Sequence, residues 1–345
     1  MSKIRIGLMG LGHIGRQIYQ LATQDERFEL VAISDIGKPE ILCHLLNKSM
    51  GQTGNVKLVN NFLLNNDCRT RLLSADHPTE IPWDVFDIDF VIDATGRFRS
   101  VEELTPHLTN GAKRVVCSTL PQHTSDRVVL FGVNEHEIQA SDRIISAGSA
   151  STTATALALN IIAKQFEIRH ASMTSVHAYT SDQSLQDYAG ADYRRSRSGA
   201  ENIIPNSTPA LHWIQKALPS VDGKMTGFAL NVPVQLGSML DLNVALADKV
   251  VSLDEIRELY VAAASATPRL LATTNEPIVS SDVKTSPHSL LVDLLGCMKA
   301  GTSLVKIMGW HSSLGHAHRI LDVLTSYTEL DSSGIDNSEI SEAVA

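Results

Sequence analysis

The chain has 345 residues, of which 43% are hydrophobic and 19% charged, and it carries a formal net charge of -9. This composition is typical of a globular protein with room for two domains and argues against a disordered chain. The acidic balance gives no reason to expect nucleic-acid binding, which needs a basic stripe, and no apolar run reaches the ~18 residues of a membrane span. We therefore expect neither a nucleic-acid nor a membrane partner.

The first half of the chain alternates between strand and helix patterns. Strands are predicted at residues 4–9, 28–34, 90–93, 114–117, 127–132 and 143–146, and helices at 16–23 and 101–108. Strands that alternate with helices predict a parallel sheet built from βαβ units, so we expect an α/β domain over residues 1–149.

After residue 150 the pattern changes to longer strands. We predict helices at 152–165, 209–217, 253–264 and 317–327, and strands at 171–180, 225–234, 238–245 and 305–310. This pattern indicates an α+β domain with a broad mixed sheet over residues 150–314. A C-terminal helix at about 315–330 is expected to complete the first domain, and the polar, acidic residues 331–345 are expected to form a disordered tail.

A glycine-rich turn joins the first predicted strand to the first predicted helix. Gly10, Gly12 and Gly15 form a G-x-G-x-x-G pattern, and Asp35 ends the second strand 20 residues after Gly15. Such a turn lets a pyrophosphate approach the helix N-terminus, and the acid can bind both ribose hydroxyls while repelling a 2′-phosphate. The context favours a Rossmann-type domain that binds NAD over a plain glycine-rich turn. The predicted cofactor residues of this turn are Gly10, Gly12, His13, Ile14 and Gly15.

The cysteines and histidines give no sign of a metal or redox site. No two of the four cysteines form a C-x-x-C pair, and they are too few for a disulfide framework; they are Cys43, Cys68, Cys117 and Cys297. The histidines near the C-terminus, His311, His316 and His318, lack the spacing of a helical metal pair. We therefore expect no metal site, and a reducing, cytoplasmic location.

Two segments around residue 150 carry the most informative pattern. Residues 146–153 read SAGSASTT, and residues 174–180 read TSVHAYT. With further collinear matches from residue 4 to about residue 330, they resemble the glyceraldehyde-3-phosphate dehydrogenase family. In that family the first segment carries a nucleophilic cysteine and the second its histidine partner. The resemblance puts His177 at the histidine and Ala150 at the cysteine.

The resemblance implies a fold, a cofactor and a reaction. The family has an NAD-binding domain and a catalytic domain, is typically a homotetramer, and oxidises a small aldehyde while phosphorylating it. A thiolate attacks the aldehyde, hydride passes to NAD, and phosphate displaces the thioester. It also implies cofactor contacts at Thr95, Gly96 and Ser118. The residues implied around the anion sites are Ser149, Ser151, Thr180, Arg195, Thr208 and Asn231.

Several residues depart from the family pattern. Ala150 has no nucleophilic atom, and Ser149 or Ser151 would be a poor substitute because a serine hydroxyl is far less ionised than a thiol. Asn231 stands where the family has a phosphate-binding arginine. Asp182 puts a negative charge where an anion should bind.

Further departures affect the second anion site and the nicotinamide. Pro209 replaces a glycine after Thr208, and Thr153 replaces the asparagine of the cysteine motif. Residues 310–316 are one residue shorter than in the family and lack the asparagine that holds the nicotinamide carboxamide, unless Ser312 or Ser313 takes its place.

Two functions remain open at this point. The chain can be an NAD-dependent oxidoreductase whose usual activity is weak, absent or altered, with His177 as a general acid or base and no covalent intermediate. Alternatively, it is a non-catalytic NAD-sensing or assembly protein on the same fold. A single introduced substitution at position 150 would not account for the changes at Asp182, Pro209 and Asn231.

Overall fold

The computed structural model describes residues 3–180, 183–247 and 250–333. The described residues cluster into two compact units. One contains the chain up to Val129, His136–Gly148, and the residues from Ala317 onward; the other contains Leu130–Glu135 and Ser149–His316.

The first unit is built on a sheet in which strands alternate with helices. In chain order its elements are β1 (Ile4–Met9), α1 (His13–Gln24), β2 (Phe28–Ser34), α2 (Pro39–Ser49), β3 (Lys57–Val59), β4 (Phe62–Asn65), β5 (Cys68–Leu73), β6 (Phe90–Asp93), α3 (Val101–Thr109), β7 (Arg114–Cys117), β8 (Arg127–Val128) and β9 (Ile144–Ser146). The strand order is β3-β4-β5-β2-β1-β6-β7-β9-β8. From β5 to β8 all pairs are parallel, and β3, β4 and β5 form an antiparallel edge.

The central strands of this sheet are covered on both faces. All residues of β6 and β7 are buried, which is typical of parallel strands between two helical layers. On one side α1 buries an apolar stripe that includes Ile18, Tyr19 and Ala22. A larger cluster surrounds Trp83, which is 0% exposed. This core fixes the carboxyl ends of β1, β2 and β6, where the cofactor turn lies.

The second unit is built on a mixed sheet. Its elements are α4 (Ala150–Ala163), β10 (Ile168–Ala178), β11 (Ile204–Asn206), α5 (Ala210–Ala217), β12 (Met225–Val232), β13 (Ser238–Leu246), α6 (Leu253–Ala266), β14 (Leu271–Thr274), β15 (Leu290–Ala300) and β16 (Leu304–His311). The last helix, α7 (Ser313–Ser333), begins in this unit and groups with the first unit from Ala317 onward. The strand order is β11-β12-β10-β13-β16-β15-β14. Helix α4 is apolar around most of its circumference and almost wholly buried, so it forms the centre of this unit's core.

The α/β class and the second mixed sheet are confirmed, and some predicted bounds are wrong. The strand expected at 127–132 ends at Val128, and the chain from Leu130 to Glu135 groups with the second unit, where the Asn160 side chain donates to Gly132 O over 2.6 Å. Within the described ranges, no helix combines the length and apolar character needed to cross a membrane.

The C-terminal helix is longer than expected at both ends. Helix α7 continues to Ser333, so the expected tail is wrong for residues 331–333. An ion pair stabilises this end of the helix, because the Arg114 guanidinium donates to both carboxylate oxygens of Asp331 over 2.6 and 2.8 Å. The rest of the expected tail, residues 334–345, lies outside the described residues.

Candidate active site

The predicted cofactor turn lies between β1 and α1. Gly10 has φ +95, and a Cβ there would lie 2.9 Å from the backbone of Ala94 and Thr95. A Cβ on Gly15 would overlap the carbonyl oxygen of Gly10, whereas one on Gly12 would meet nothing within 4 Å. The turn is therefore closed on its inner side and open at Gly12, which is the shape that an approaching pyrophosphate needs.

Helix α1 starts at this opening. Gly12 is its N-cap residue and provides no side-chain cap, and the first turn carries no acidic residue. His13 and Ile14 are the first two residues of the helix. The positive end of the helix dipole therefore lies at this opening, and it favours an anion there.

Asp35 lies beside the turn, just after β2. Its Oδ2 accepts a hydrogen bond from Leu11 N over 2.7 Å, and its Oδ1 accepts one from Gly37 N over 2.8 Å. A carboxylate has about four acceptor sites, so both oxygens keep a lone pair for a ribose hydroxyl. The glycine turn, the open helix start and this acid together fit a dinucleotide with a free 2′-hydroxyl.

The other predicted cofactor contacts follow β6 and β7. Thr95 donates its backbone N–H and its hydroxyl to Asp93 Oδ1, over 3.0 and 2.7 Å, and Gly96 has φ +68. Ser118 N donates to Asp93 O over 2.9 Å. These residues lie at the same edge of the sheet as Gly10, because Asp93 pairs in register with Met9 and with Cys117.

Position 150 is the first residue of α4. Ser149 is the N-cap, and its Oγ accepts a hydrogen bond from Thr152 N over 3.3 Å and lies 2.6 Å from Thr152 Oγ1. The Ser151 hydroxyl lies 3.5 Å from Ser149 Oγ, and Ser151 is buried at 7% exposure. Ser149 therefore caps the helix that begins at Ala150, and the Ser151 hydroxyl lies beside that cap.

The predicted histidine lies in a row of polar side chains that crosses the second sheet. His177 on β10 pairs with Asn231 on β12, Val176 pairs with Met239, and Ser238 on β13 pairs with His311 on β16. Residues in register share a face of a sheet. Asn231, His177, Ser238 and His311 therefore lie side by side; we call them the polar row.

Helix α4 covers the face that carries the polar row. The Thr155 hydroxyl donates to the sulfur of Met173 over 3.2 Å, and Met173 alternates with Ser175 and His177 along β10. The Ser175 hydroxyl lies 3.0 Å from His177 Nε2. Desolvation by burial lowers the pKa of His177, so its imidazole is neutral at pH 7.

His311 is the least accessible member of the row. Its ring makes an edge-to-face contact with that of His177, with centroids 5.7 Å apart and planes at 70°. Both ring nitrogens are buried and without a hydrogen-bond partner. Burial, with smaller contributions from His177 and His316, lowers the pKa of His311 to about 3. The row thus contains two adjacent neutral imidazoles.

Asn231 does not reproduce the arginine expected at its position. Its Oδ1 accepts a hydrogen bond from Asn206 Nδ2 on β11 over 2.7 Å. The amide is therefore oriented by its neighbour and presents no positive charge. A phosphate would lose here the charge-assisted bidentate contact that arginine makes.

The remaining predicted anion residues lie near β10 and α5. Thr180 N donates to Gln183 Oε1 over 3.0 Å, and the Thr208 hydroxyl accepts from Ala210 N over 3.2 Å, just before α5. Arg195 is exposed on a loop, and its N–H donates to Asp192 Oδ1 over 2.9 Å. Asp182 lies outside the described residues.

Ser312 and Ser313, the two serines that could take the place of the expected asparagine, lie just before α7 and at its first residue. Ser312 is bound within its own unit, because its hydroxyl donates to Ser286 O over 3.0 Å and accepts from Gly315 N over 3.2 Å. It is 6% exposed. Ser313 begins α7.

Three of the four cysteines have thiols that burial makes harder to ionise. Burial raises the pKa values of Cys43, Cys117 and Cys297. The fourth cysteine, Cys68, lies in the first unit at the start of β5, with its sulfur 3.7 Å from Thr23 O. Among the residues that the structure describes, no group of three His, Cys, Asp or Glu side chains is arranged to hold a metal ion.

Comparison with known proteins relates both units to one family. Residues 4–101 match the family model described as glyceraldehyde 3-phosphate dehydrogenase, NAD binding domain, and residues 149–313 match the corresponding C-terminal domain. The chain belongs to the glyceraldehyde-3-phosphate dehydrogenase family. It is thus a member of a family of NAD-binding oxidoreductases, and NAD is its cofactor.

Individual relatives match along nearly their full length. The chain is 35% identical to the glyceraldehyde-3-phosphate dehydrogenase of Mycobacterium leprae over 333 residues, which cover 93% of this chain and 97% of the relative. It is 34% identical to glyceraldehyde-3-phosphate dehydrogenase 2 of Bacillus subtilis over 328 residues, or 93% and 96% of the two chains. For the enzyme of Borreliella burgdorferi the values are 33% over 331 residues, or 93% and 98%.

Three neighbours of the predicted residues were missed by sequence reasoning. Ser175 had a readable signal, because it lies two positions before His177 on a strand. Asn206 and Ser238 had none, since only the pairing of β11 with β12 and of β13 with its neighbours brings them to the row.

Proposed function

We propose that this chain is an NAD-dependent oxidoreductase that acts on a carbonyl or alcohol substrate without a covalent enzyme intermediate. The supporting observation is the pair formed by Ala150 at the start of α4 and the neutral His177 beside Ser175. The thioester route needs a thiolate at the helix start. An alanine removes that route but leaves the acid–base partner in place.

His177 would handle the proton of the reaction. A neutral, desolvated imidazole accepts the hydroxyl proton of an alcohol while the carbon-bound hydrogen leaves as hydride, and it returns the proton in the reverse direction. Bound NAD supplies the hydride acceptor. The Ser175 hydroxyl, 3.0 Å from Nε2, orients the ring.

The polar row supports a substrate that is uncharged at the end that meets Asn231. Asn231 is an amide, and burial keeps His177 and His311 neutral. Hydroxyl groups can both donate to and accept from such side chains, whereas a phosphate lacks a cation there. Roles for Thr180, Arg195 and Thr208 in binding a more distant anion belong to the same proposal.

The test is NADH formation by the purified chain with two kinds of substrate. With NAD, phosphate and glyceraldehyde 3-phosphate, we expect weak or no turnover, even though NAD binds. Unphosphorylated hydroxyaldehydes and polyols are expected to give phosphate-independent turnover. A His177→Asn variant should lower that turnover by about a hundredfold or more, because it loses the proton acceptor.

Two other outcomes of this assay would support a different function. Robust phosphate-dependent turnover of glyceraldehyde 3-phosphate would contradict loss of the thioester route and make Ser149 and Ser151 the next targets. NAD binding without turnover of any substrate would favour the non-catalytic alternative, an NAD-sensing or assembly protein. Lys164→Gln, at the exposed end of α4, is the control and should leave all rates unchanged.

Assembly and location are part of the proposal. We infer a homotetramer from the family resemblance, and the loop before β11 supports an interface because it exposes large apolar side chains: Leu185, Tyr188, Tyr193 and Ile203. The four free cysteines support a reducing, cytoplasmic location. We assign cofactor binding to residues 1–149 with the C-terminal helix, and substrate chemistry to residues 150–314.

A further inference from the structure

Three buried polar side chains form a connected line in the first unit. Trp83, His107 and Asp93 are 0%, 0% and 2% exposed. The Trp83 indole N–H donates to His107 Nδ1 over 2.9 Å, and His107 Nε2 lies 3.5 Å from Asp93 Oδ2. Each member therefore has a partner, as buried polar groups require. We call these three residues the buried relay.

The relay determines which nitrogen of His107 carries the proton. An indole nitrogen can only donate, so Nδ1 of His107 must be the acceptor. The ring proton of the neutral imidazole is then on Nε2, which faces Asp93. His107 therefore acts as a donor to one oxygen of the carboxylate.

The other oxygen of Asp93 holds the loop that follows β6. Oδ1 accepts both the backbone N–H and the hydroxyl of Thr95. This loop touches the cofactor turn, since a Cβ on Gly10 would lie 2.9 Å from Thr95 N. Strand β1 has β2 on one side and β6 on the other, and ligands of such sheets bind where the strand order reverses. Residues 95–96 thus form one wall of the cofactor crevice.

The far end of the relay packs against strand β1. A Cβ on Gly7 of β1 would lie 2.6 Å from Cζ3 of Trp83, so the indole fills the space that a side chain at position 7 would take. Trp83 is therefore packed against the strand that leads to Gly10. The relay connects both strands that border the crevice.

We propose that His107 is a positioning residue for NAD. It holds the Asp93 carboxylate, and through it residues 95–96, in the orientation that receives the cofactor. The proposal rests on NAD binding and not on the reaction proposed above, so its test needs no substrate.

Calorimetric titration of NAD into three forms of the chain tests the relay. His107→Leu removes both ring hydrogen bonds, and we expect its Kd for NAD to rise about tenfold, because the Asp93 carboxylate loses a buried donor. His107→Gln keeps an acceptor for Trp83 and a donor for Asp93. It should bind NAD within about threefold of the unchanged chain.

A matched control separates positioning from stability. Thr70 is 0% exposed in the same unit, and its hydroxyl donates to Leu30 O over 2.8 Å. Thr70→Val should lower the melting temperature and leave the Kd for NAD unchanged. If His107→Leu behaves like Thr70→Val, or if His107→Gln does not restore binding, the positioning role is wrong.

One measurement needs no variant. Nitrogen NMR of the unchanged chain reports which ring nitrogen of His107 carries the proton. A proton on Nε2 supports the relay, and a proton on Nδ1 overturns it, even if His107→Leu does not fold. Failure of the unchanged chain to bind NAD would overturn the cofactor assignment itself and the relay with it.

Discussion

The two units differ in how their functional parts are made. The cofactor turn of the first unit depends on backbone geometry, with Gly10 at φ +95 and Gly15 against the Gly10 carbonyl. The candidate catalytic site of the second unit depends on side chains, and several of those differ from the residues that the family resemblance led us to expect. Ala150 lacks a nucleophile, and Asn231 is held by Asn206 where an arginine was expected.

This difference has a physical basis. A dinucleotide turn tolerates few residues, because a side chain at Gly10 or Gly15 would meet backbone atoms. A site built from side chains on a sheet can be altered one residue at a time without disturbing the strands that carry them. The second unit has a seven-stranded sheet, and the polar row lies on unbroken strands. The reaction can therefore change while the cofactor and the fold persist.

Acidification should reveal the buried neutral imidazole of His311 in the second unit. The folded pKa of His311 is about 3 against an ordinary value of 6.5, so the unfolded chain binds more protons between these values. Stability is then fully present above the unfolded pKa and falls as the pH drops. Near pH ~4.5 this costs about 3 kcal/mol, roughly a hundredfold in the folding equilibrium.

Denaturant unfolding of the unchanged chain and of His311→Phe measures that cost. Phenylalanine keeps a ring beside His177 but cannot be protonated. We expect the variant to lose about 3 kcal/mol less than the unchanged chain between neutral pH and pH ~4.5. Equal losses in both proteins would show that His311 does not titrate on unfolding and would weaken the picture of a neutral polar row.

A thiol at position 150 tests whether the second unit still provides the setting for a nucleophile. In Ala150→Cys, the start of α4 should stabilise a thiolate, since a helix N-terminus favours negative charge. We expect alkylation at position 150 to be about ten- to a hundredfold faster than at any native cysteine, measured by mass spectrometry. Ser151→Cys, one residue further along the helix and 7% exposed, is the matched control and should react slowly. Equally slow reaction at both positions would contradict the alignment at 150.

The same contrast explains what could be predicted from the sequence. The ends of β1, β2, β6 and β7 were predicted to the residue, because compact apolar runs and the glycine turn mark them locally. Strand β15 was missed, although it has 11 residues. Its register shifts between Asp293 and Met298, so its side chains do not alternate along the whole strand.

Only those parts of the candidate site that lie within short segments of the sequence could be predicted. His177 and Ala150 were found from two short segments, but the contact between His177 and His311 needs β13 between their strands. No pattern near residue 311 indicates that its ring is buried. The helical end at 331–333 likewise depends on Arg114, which is 217 residues away from Asp331 in the chain.

Alanine substitutions in the glycine turn test whether the cofactor site of the first unit depends on backbone geometry. Gly12 has φ -68, and a Cβ there would meet no atom within 4 Å, so Gly12→Ala should fold with an unchanged melting temperature. The new methyl group would occupy the opening to the helix start, and we expect the Kd for NAD to rise about tenfold. Gly15→Ala should instead lower the melting temperature, because its Cβ would overlap Gly10 O. Unchanged NAD binding by Gly12→Ala would place the pyrophosphate elsewhere.

The smallest expected effect concerns the choice between NAD and NADP. Asp35→Asn removes the charge that repels a 2′-phosphate, and Asp35→Ser removes the carboxylate altogether. Both should raise the affinity for NADP relative to NAD by severalfold, or about 1 kcal/mol, the scale of one partly screened charge interaction. Each variant also loses a hydrogen bond from Leu11 N or Gly37 N, so the ratio of the two Kd values is the quantity to compare.

Asp25→Asn is the control: it removes an equal charge at the opposite end of α1 and should leave the ratio of the Kd values for NADP and NAD unchanged. An unchanged ratio in both Asp35 variants would show that the Asp35 side chain does not set the choice between NAD and NADP. Other residues of the first unit would then have to provide that selectivity.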